Sequence, residues 1–300
     1  LMKRRSKTLL QITLITAIAV STYCALRTLP DSDCGFLHYE VLDVDSDGIE
    51  FCKADSSAFL ELSKLNFPLK LDLIAEDPPR QGTSSEFTLT LLTPGNKQLL
   101  PHQIAKTHTK KVHLLLIDTS LEDYHHIHPE PVGSSGQWTF HFTPKKTGTY
   151  YAFAQLVPAR TKKHIVASNT IEVPGTSAQP TPQTVQTAHV AGYTFHLELS
   201  PKRPTTRQMH DVHLTITGDK GKPVHLEPLM GAYAHMIAFD ESLSGMAHLH
   251  PIPNGRETED TPQVDFVLNT AKPGYYRVWA QVKIQGTELF APFDLIFEAS

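Results

Sequence analysis

Most of the chain is a run of short apolar-rich segments, each broken by Pro, Gly, Ser or Asn. From Phe67 onward Val, Ile, Thr and aromatic residues gather in stretches of strand length, and no long helical period competes with them. The pattern predicts one series of strands at Leu69–Ala75, Phe87–Leu92, Val112–Ile117, Tyr124–His128, Trp138–Phe142, Tyr150–Leu156 and Ile165–Val173. A second series is predicted at Tyr193–Leu199, Val212–Thr217, His235–Phe239, Met246–His250, Val264–Leu268, Tyr276–Val282 and Phe290–Phe297. Residues 174–187, poor in large apolar side chains, read as a linker. The expected domains are therefore a first sandwich over 67–173 and a second over 188–300. They are preceded by an N-terminal segment over 1–30 and an extension of little periodicity over 31–66.

The two series are copies. His113, Asp118, Ser120, Leu121, Tyr124, His126, His128 and Pro129 match, without a gap, His235, Asp240, Ser242, Leu243, Met246, His248, His250 and Pro251. Further on, Phe140, Gly148, Tyr150, Ala154 and Gln155 match Phe266, Gly274, Tyr276, Ala280 and Gln281. Repeats this long mean duplicated domains rather than a solenoid. Gly-x-Tyr entering a late strand is the pattern of a tyrosine corner. The fold class expected is all-β, with two tandem immunoglobulin-like Greek-key β-sandwiches following an N-terminal membrane segment.

Period-two alternation puts His126 and His128 on one strand face. If the residues 118–123 close a hairpin in which Ile117 faces Tyr124, then Leu115 faces His126 and His113 faces His128. Facing residues have Cβ atoms about 5 Å apart, so three imidazoles would converge. The second copy would gather His235, His248 and His250 in the same way, with Met246 on the His248/His250 face. A one-residue slip would send His113 or His235 to the opposite face.

Composition sharpens this reading in one respect. Histidine is in excess, at 17 copies, and it is the commonest protein metal ligand. Imidazole with thioether suits copper, and three histidines alone would also suit zinc. Neither sandwich contains cysteine, so the thiolate of a blue-copper electron-transfer site is missing. The alternative is that these histidines are structural, within a non-catalytic adhesion or assembly module. His102, His125, His141 and His225 lack partners in the other copy and are expected to be exposed or locally hydrogen-bonded. The net charge of −4, without a basic stripe, gives no sign of a nucleic-acid partner. No Gly-x-Ser-x-Gly, HExxH, phosphate loop or catalytic cysteine is present, which argues against an enzyme.

The start of the chain reads as an export signal: Lys3, Arg4 and Arg5 precede the nearly uncharged stretch Leu9–Leu26. It would serve as an uncleaved membrane anchor, a cleaved signal after Ala17-Ile18-Ala19, or, through Cys24, a lipid attachment site. Cys34 and Cys52 lie beyond it, and an oxidising compartment would pair them as a disulfide; two free thiols are the alternative. Asp43-x-Asp45-x-Asp47-Gly48 opens like a calcium loop, but its twelfth position is Ala54 rather than Glu, so an acidic turn is expected.

The stretch Leu226-Glu227-Pro228-Leu229-Met230-Gly231-Ala232-Tyr233-Ala234-His235, with Asp240 and Met246-Ala247-His248-Leu249-His250-Pro251, resembles a signature of bacterial exported proteins related to the YtkA-like domain family. The resemblance covers the second domain, and reaches the first only through Tyr124–Pro129. It implies an Ig-like fold and metal handling, chiefly of copper, in the cell envelope. The expected partners are the metal ion, the membrane through the N-terminal segment, and another envelope protein that receives the metal.

Overall fold

The computed structural model describes residues 2–27, 41–45, 48–52, 59–62 and 68–300. The chain divides into two compact units, Leu1–His38 and Tyr39–Ser300. The first holds a helix, Met2–Arg27. The expected membrane-spanning segment is not supported: among the described residues no helix is long and apolar enough to cross a bilayer. Gln11, Thr13, Thr16, Ser21 and Thr22 interrupt the apolar run. Cys24 is a free, exposed thiol. Cys34 lies outside the described residues, as does the side chain of Cys52. Asp47 is also outside them; Asp43 and Asp45 belong to strand Val41–Asp45, which forms a hairpin with Gly48–Cys52.

From Lys70 onward the regular structure is almost entirely β-strand, broken by two short 3-10 turns at Pro101–Gln103 and Asp219–Gly221, and each of the fourteen expected strands is present within a few residues of its expected ends. In the first sandwich, Lys70–Ala75, Ser85–Leu92, Gln137–Phe142 and Glu130–Pro131 form one sheet. Ile165–Val173, Gly148–Pro158, His113–Asp118 and Tyr124–Ile127 form the other. The second sandwich repeats this division. One sheet runs Thr187–Val190, Tyr193–Ser200, His210–Gly218, Gln263–Leu268. The other carries Thr287–Phe297, Gly274–Ile284, Ala234–Asp240 and Gly245–Leu249. First, second and fifth principal strands in one sheet, and third, fourth, sixth and seventh in the other, is an immunoglobulin-like arrangement. The N-terminal extension adds a strand that alternation did not reveal. Leu60–Glu61 pairs with Gly245 and Met246 at the edge of the second sandwich's sheet.

Each sandwich has its own core. Phe87, Leu89, Trp138, Phe140 and Tyr150 anchor one, and Phe195, Leu214, Phe266, Tyr276 and Phe293 the other. Both corners form. The hydroxyl of Tyr150 meets Lys146 N at 2.9 Å, and that of Tyr276 donates to Lys272 O at 2.9 Å, each four residues upstream. The Gly before each tyrosine is required by its backbone, with φ of +99° at Gly148 and +134° at Gly274.

A third apolar cluster lies between the sandwiches. It joins Leu115, Ile117, Leu121, Tyr124, Phe153 and Val166 to Ile237, Phe239, Leu243, Met246, Trp279 and Phe290. These are the same positions of the two copies, meeting themselves. An interface built from one patch facing its own copy is isologous, as across a two-fold axis.

Candidate metal centre

The sites are built by the hairpins His113–Asp118/Tyr124–Ile127 and Ala234–Asp240/Gly245–Leu249. Asp118 buckles the first turn, accepting the backbone N–H groups of Ser120, Glu122 and Asp123 at 3.0, 2.9 and 2.8 Å. Asp240 holds the second through the hydroxyls of Ser242 and Ser244, both at 2.6 Å, and the Gly245 N–H at 3.3 Å. Leu121 and Leu243 take the left-handed conformation these turns need. The turns set the register: Ile117 faces Tyr124 and Leu115 faces His126, while Phe239 faces Met246 and Ile237 faces His248.

That register brings three histidines together in each copy. One ring nitrogen from each of His113, His126 and His128 lies within 4.8 Å of the other two, and His235, His248 and His250 form the same group. His113, His126 and His235 are buried; His128, His248 and His250 are half-buried. Desolvation, with added repulsion from neighbouring rings, holds His113, His126 and His248 well below the ordinary imidazole value. Burial likewise lowers His128 to about 3 and His235 to about 4. These rings are neutral at pH 7.

The outer nitrogens are held by carbonyl oxygens. His113 donates Nε2–H to Thr107 O at 2.8 Å, and His235 donates Nε2–H to Leu229 O at 3.0 Å. His126 donates Nδ1–H to Gln281 Oε1 at 2.9 Å, and His248 donates Nδ1–H to Gln155 Oε1 at 2.7 Å. Both glutamines reach across from the opposite sandwich. Their amide orientation is set in turn: Gln281 Nε2 donates to the Glu288 carboxylate at 2.8 Å, and Gln155 Nε2 lies 3.6 Å from the Met246 sulfur.

A neutral imidazole carries one N–H, so these bonds leave lone pairs on His113 Nδ1 and His126 Nε2. His128 Nε2 lies 3.2 Å from His113 Nδ1, where the His128 tautomer decides donor or acceptor, whereas His113 Nδ1 and His126 Nε2, both left with lone pairs, lie 3.2 Å apart. Lone pairs that close repel unless a cation lies between them. Two nitrogens bound to one ion at about 2.0–2.1 Å and a tetrahedral angle stand roughly 3.3–3.4 Å apart. In the second trio the Nδ1 of His235 is buried and meets no hydrogen-bond partner.

Residues 69–175 and 188–299 each match the model of a domain of unknown function, DUF8832. The chain belongs to the DUF8832 family. No curated protein matches it. The solved structures that align with it include the following three. One is red sea bream transglutaminase, at 8% identity, over 79% of this chain and 32% of that one, with a TM-score of 0.25. The fibronectin(III)-like modules of Clostridium thermocellum CbhA align at 9% identity, over 76% and 95%, with a TM-score of 0.21. Invasin, a bacterial integrin-binding protein, aligns at 12% identity, over 77% and 39%, with a TM-score of 0.23. At these overlaps none carries an argument about this chain.

In this DUF8832 protein Met246 lies in the apolar seam, on the Nδ1 side of His248 through its contact with Gln155. Tyr124, its counterpart, is buried against Trp279 with ring centroids 5.8 Å apart. His125 bonds locally to Asp123 at 2.9 Å, and His102, His141 and His225 are exposed. Sequence reasoning missed two features. The glutamines were seen as repeated positions but not as supports. His108 was not singled out at all, although its ring centroid lies 4.3 Å from that of His250. The repeat offset of 122 residues, carried six residues upstream from His113/His235, would have aligned Thr107 with Leu229 and His108 with Met230.

Proposed function

We propose that this protein holds two transition-metal ions, one in each histidine trio, beside the seam between its sandwiches, with copper the principal ion and zinc its competitor. The observation that carries this reading is the set of outer hydrogen bonds. Carbonyl oxygens fix the tautomers of His113 and His126, and of His235 and His248, so that two lone pairs in each trio, not protons, turn inward. Metal-ligating histidines are supported in this way, their second ring nitrogen donating to a carbonyl or carboxylate. All-imidazole sites bind Cu(II) more tightly than Zn(II), which favours copper wherever both are present. With no thiolate in either sandwich, holding or delivery suits the site better than electron transfer. The half-buried His128 and His250 are the natural points of entry and release. The envelope setting, and a partner there that receives the ion, rest on the N-terminal sequence pattern and the family resemblance alone.

Metal analysis of the full chain, purified without a polyhistidine tag, tests the reading. Two equivalents of copper or zinc per chain, with a raised melting temperature on loading, are expected. A chain that takes up neither ion and is not stabilised by either would leave the histidines structural and favour the adhesion or assembly module instead.

A further inference from the structure

The turns beside the two trios hold a residue that the six histidines leave unused. Thr107–Lys110 and Leu229–Ala232 are equivalent: in each the outer residues bridge to one another, and the two central residues have positive φ. His108 and Thr109 lie at +49° and +70°, Met230 and Gly231 at +52° and +81°. A glycine adopts this backbone freely, but the first turn forces a β-branched threonine into it. Residues held in such conformations cluster at functional sites. Each turn also supports its own trio, through Thr107 O and Leu229 O.

His108, at the tip of the first turn, faces the other sandwich. Its ring centroid lies 4.3 Å from that of His250, 5.7 Å from His235 and 6.4 Å from His248. Within the second trio the corresponding separations are 5.9, 5.9 and 4.7 Å. Four imidazoles bound tetrahedrally to one ion, ring centres roughly 3 Å from it, would stand about 5 Å apart. His108 therefore stands nearest the second trio, against His250, while its ring also lies 6.2 Å from that of His113, and its Nε2 is shielded from solvent.

We infer that the second ion is held by four histidines, the fourth being His108 donated across the seam, and that Met230 is the corresponding fourth ligand of the first ion. This rests on the two-ion reading above. The step from His108 to Met230 follows from the isologous seam. The relation that places Gln281 on His126 also places Gln155 on His248, so what carries His108 to one trio carries Met230 to the other. The two sites then differ in chemistry. Four imidazoles suit Cu(II) or Zn(II), while three imidazoles and a thioether favour Cu(I). Each ion joins both sandwiches.

The test uses the full, tag-free, metal-free chain titrated with Zn(II) and, under reducing conditions, with Cu(I). His108→Asn is the informative variant, because asparagine tolerates the left-handed backbone and keeps the turn. It is expected to weaken one of the two Zn(II) sites by more than about 100-fold, beyond the loss usual for an outer supporting group, and to leave the other unchanged. X-ray absorption of the Cu(I)-loaded parent is expected to show sulfur coordination that Met230→Leu removes and Met246→Leu retains. If His108→Asn keeps both ions at parental affinity, the crossing histidine is wrong. If sulfur coordination is absent, or is lost in Met246→Leu instead, Met230 is wrong. In either case a parent that binds two ions leaves the two-ion reading standing; a parent that binds none removes both.

Discussion

The two sandwiches carry the same hairpin, the same buckling aspartate and the same three histidines, yet they differ where an ion would be distinguished. At the seam position Tyr124 stands against Met246, and at the turn tip His108 stands against Met230. Duplication has kept the residues that set register and ring orientation, and varied those at the margin. The conserved geometry is costly in itself: it buries neutral imidazoles with their lone pairs turned on one another. On the two-ion proposal, these are the positions at which two otherwise equal sites would differ in ion preference.

The most drastic way to break the symmetry is to remove one trio. Replacing His248 and His250 together by alanine is expected to reduce metal content from two ions to one per chain. Replacing His126 and His128 should do the same for the other ion, and the oxidation state of the ion that survives in each variant would show which site is softer. Two ions retained in either double variant would dissolve the site assignment.

Acid should act on both trios of the metal-free chain. An unfolded histidine titrates near 6.5, whereas folded His235 is lowered to about 4. Between those values the unfolded state binds the extra proton, so stability is intact above pH 6.5 and declines as pH falls toward 4. His235 alone would account for on the order of 3 kcal/mol across that window. Denaturant melts at a series of pH values would measure it, and a flat profile from pH 7 to pH 4 would contradict the burial of neutral rings.

Smaller effects probe the crossing supports. Gln155→Leu is expected to weaken the second sandwich's ion, and Gln281→Leu the first's, each by about 10–100-fold. Loss at the same-sandwich site instead would show the cross-seam bonds to be incidental. Met246→Leu, a swap of similar volume within the apolar seam, should cost less than about 1.5 kcal/mol and release no ion. His225→Ala, at an exposed position, should change neither metal content nor melting temperature.

Much of this was legible beforehand. The strands followed from period-two alternation and turn residues. The register followed from the six-residue loop and the demand that His126 and His128 share a face. His108 escaped notice because its counterpart is a methionine, and comparing copies by identity hides a position where the ligand type changes. The strand Leu60–Glu61 escaped because two residues are too few to show a period, and their pairing with Gly245 and Met246 is long-range. The N-terminal stretch reads as an anchor through its basic start and nearly uncharged run, but polar residues interrupt that run, and among the described residues no helix is long and apolar enough to cross a bilayer.

The sequence by itself determined an all-β chain, two copies of one domain, and the grouping of three histidines within each copy. All of these depend on neighbours along a strand or across a short turn, whose spacing the covalent chain sets. Only the tertiary structure decided that the two groups lie beside one seam, that each sandwich's glutamine orients a ring of the other, and that His108 lies beside the opposite trio. Those relations depend on which faces of the sandwiches meet. That choice is made by the complementary burial of Leu115, Phe153, Ile237, Phe239 and Trp279, whose positions a linear pattern marks as apolar without saying what they will touch.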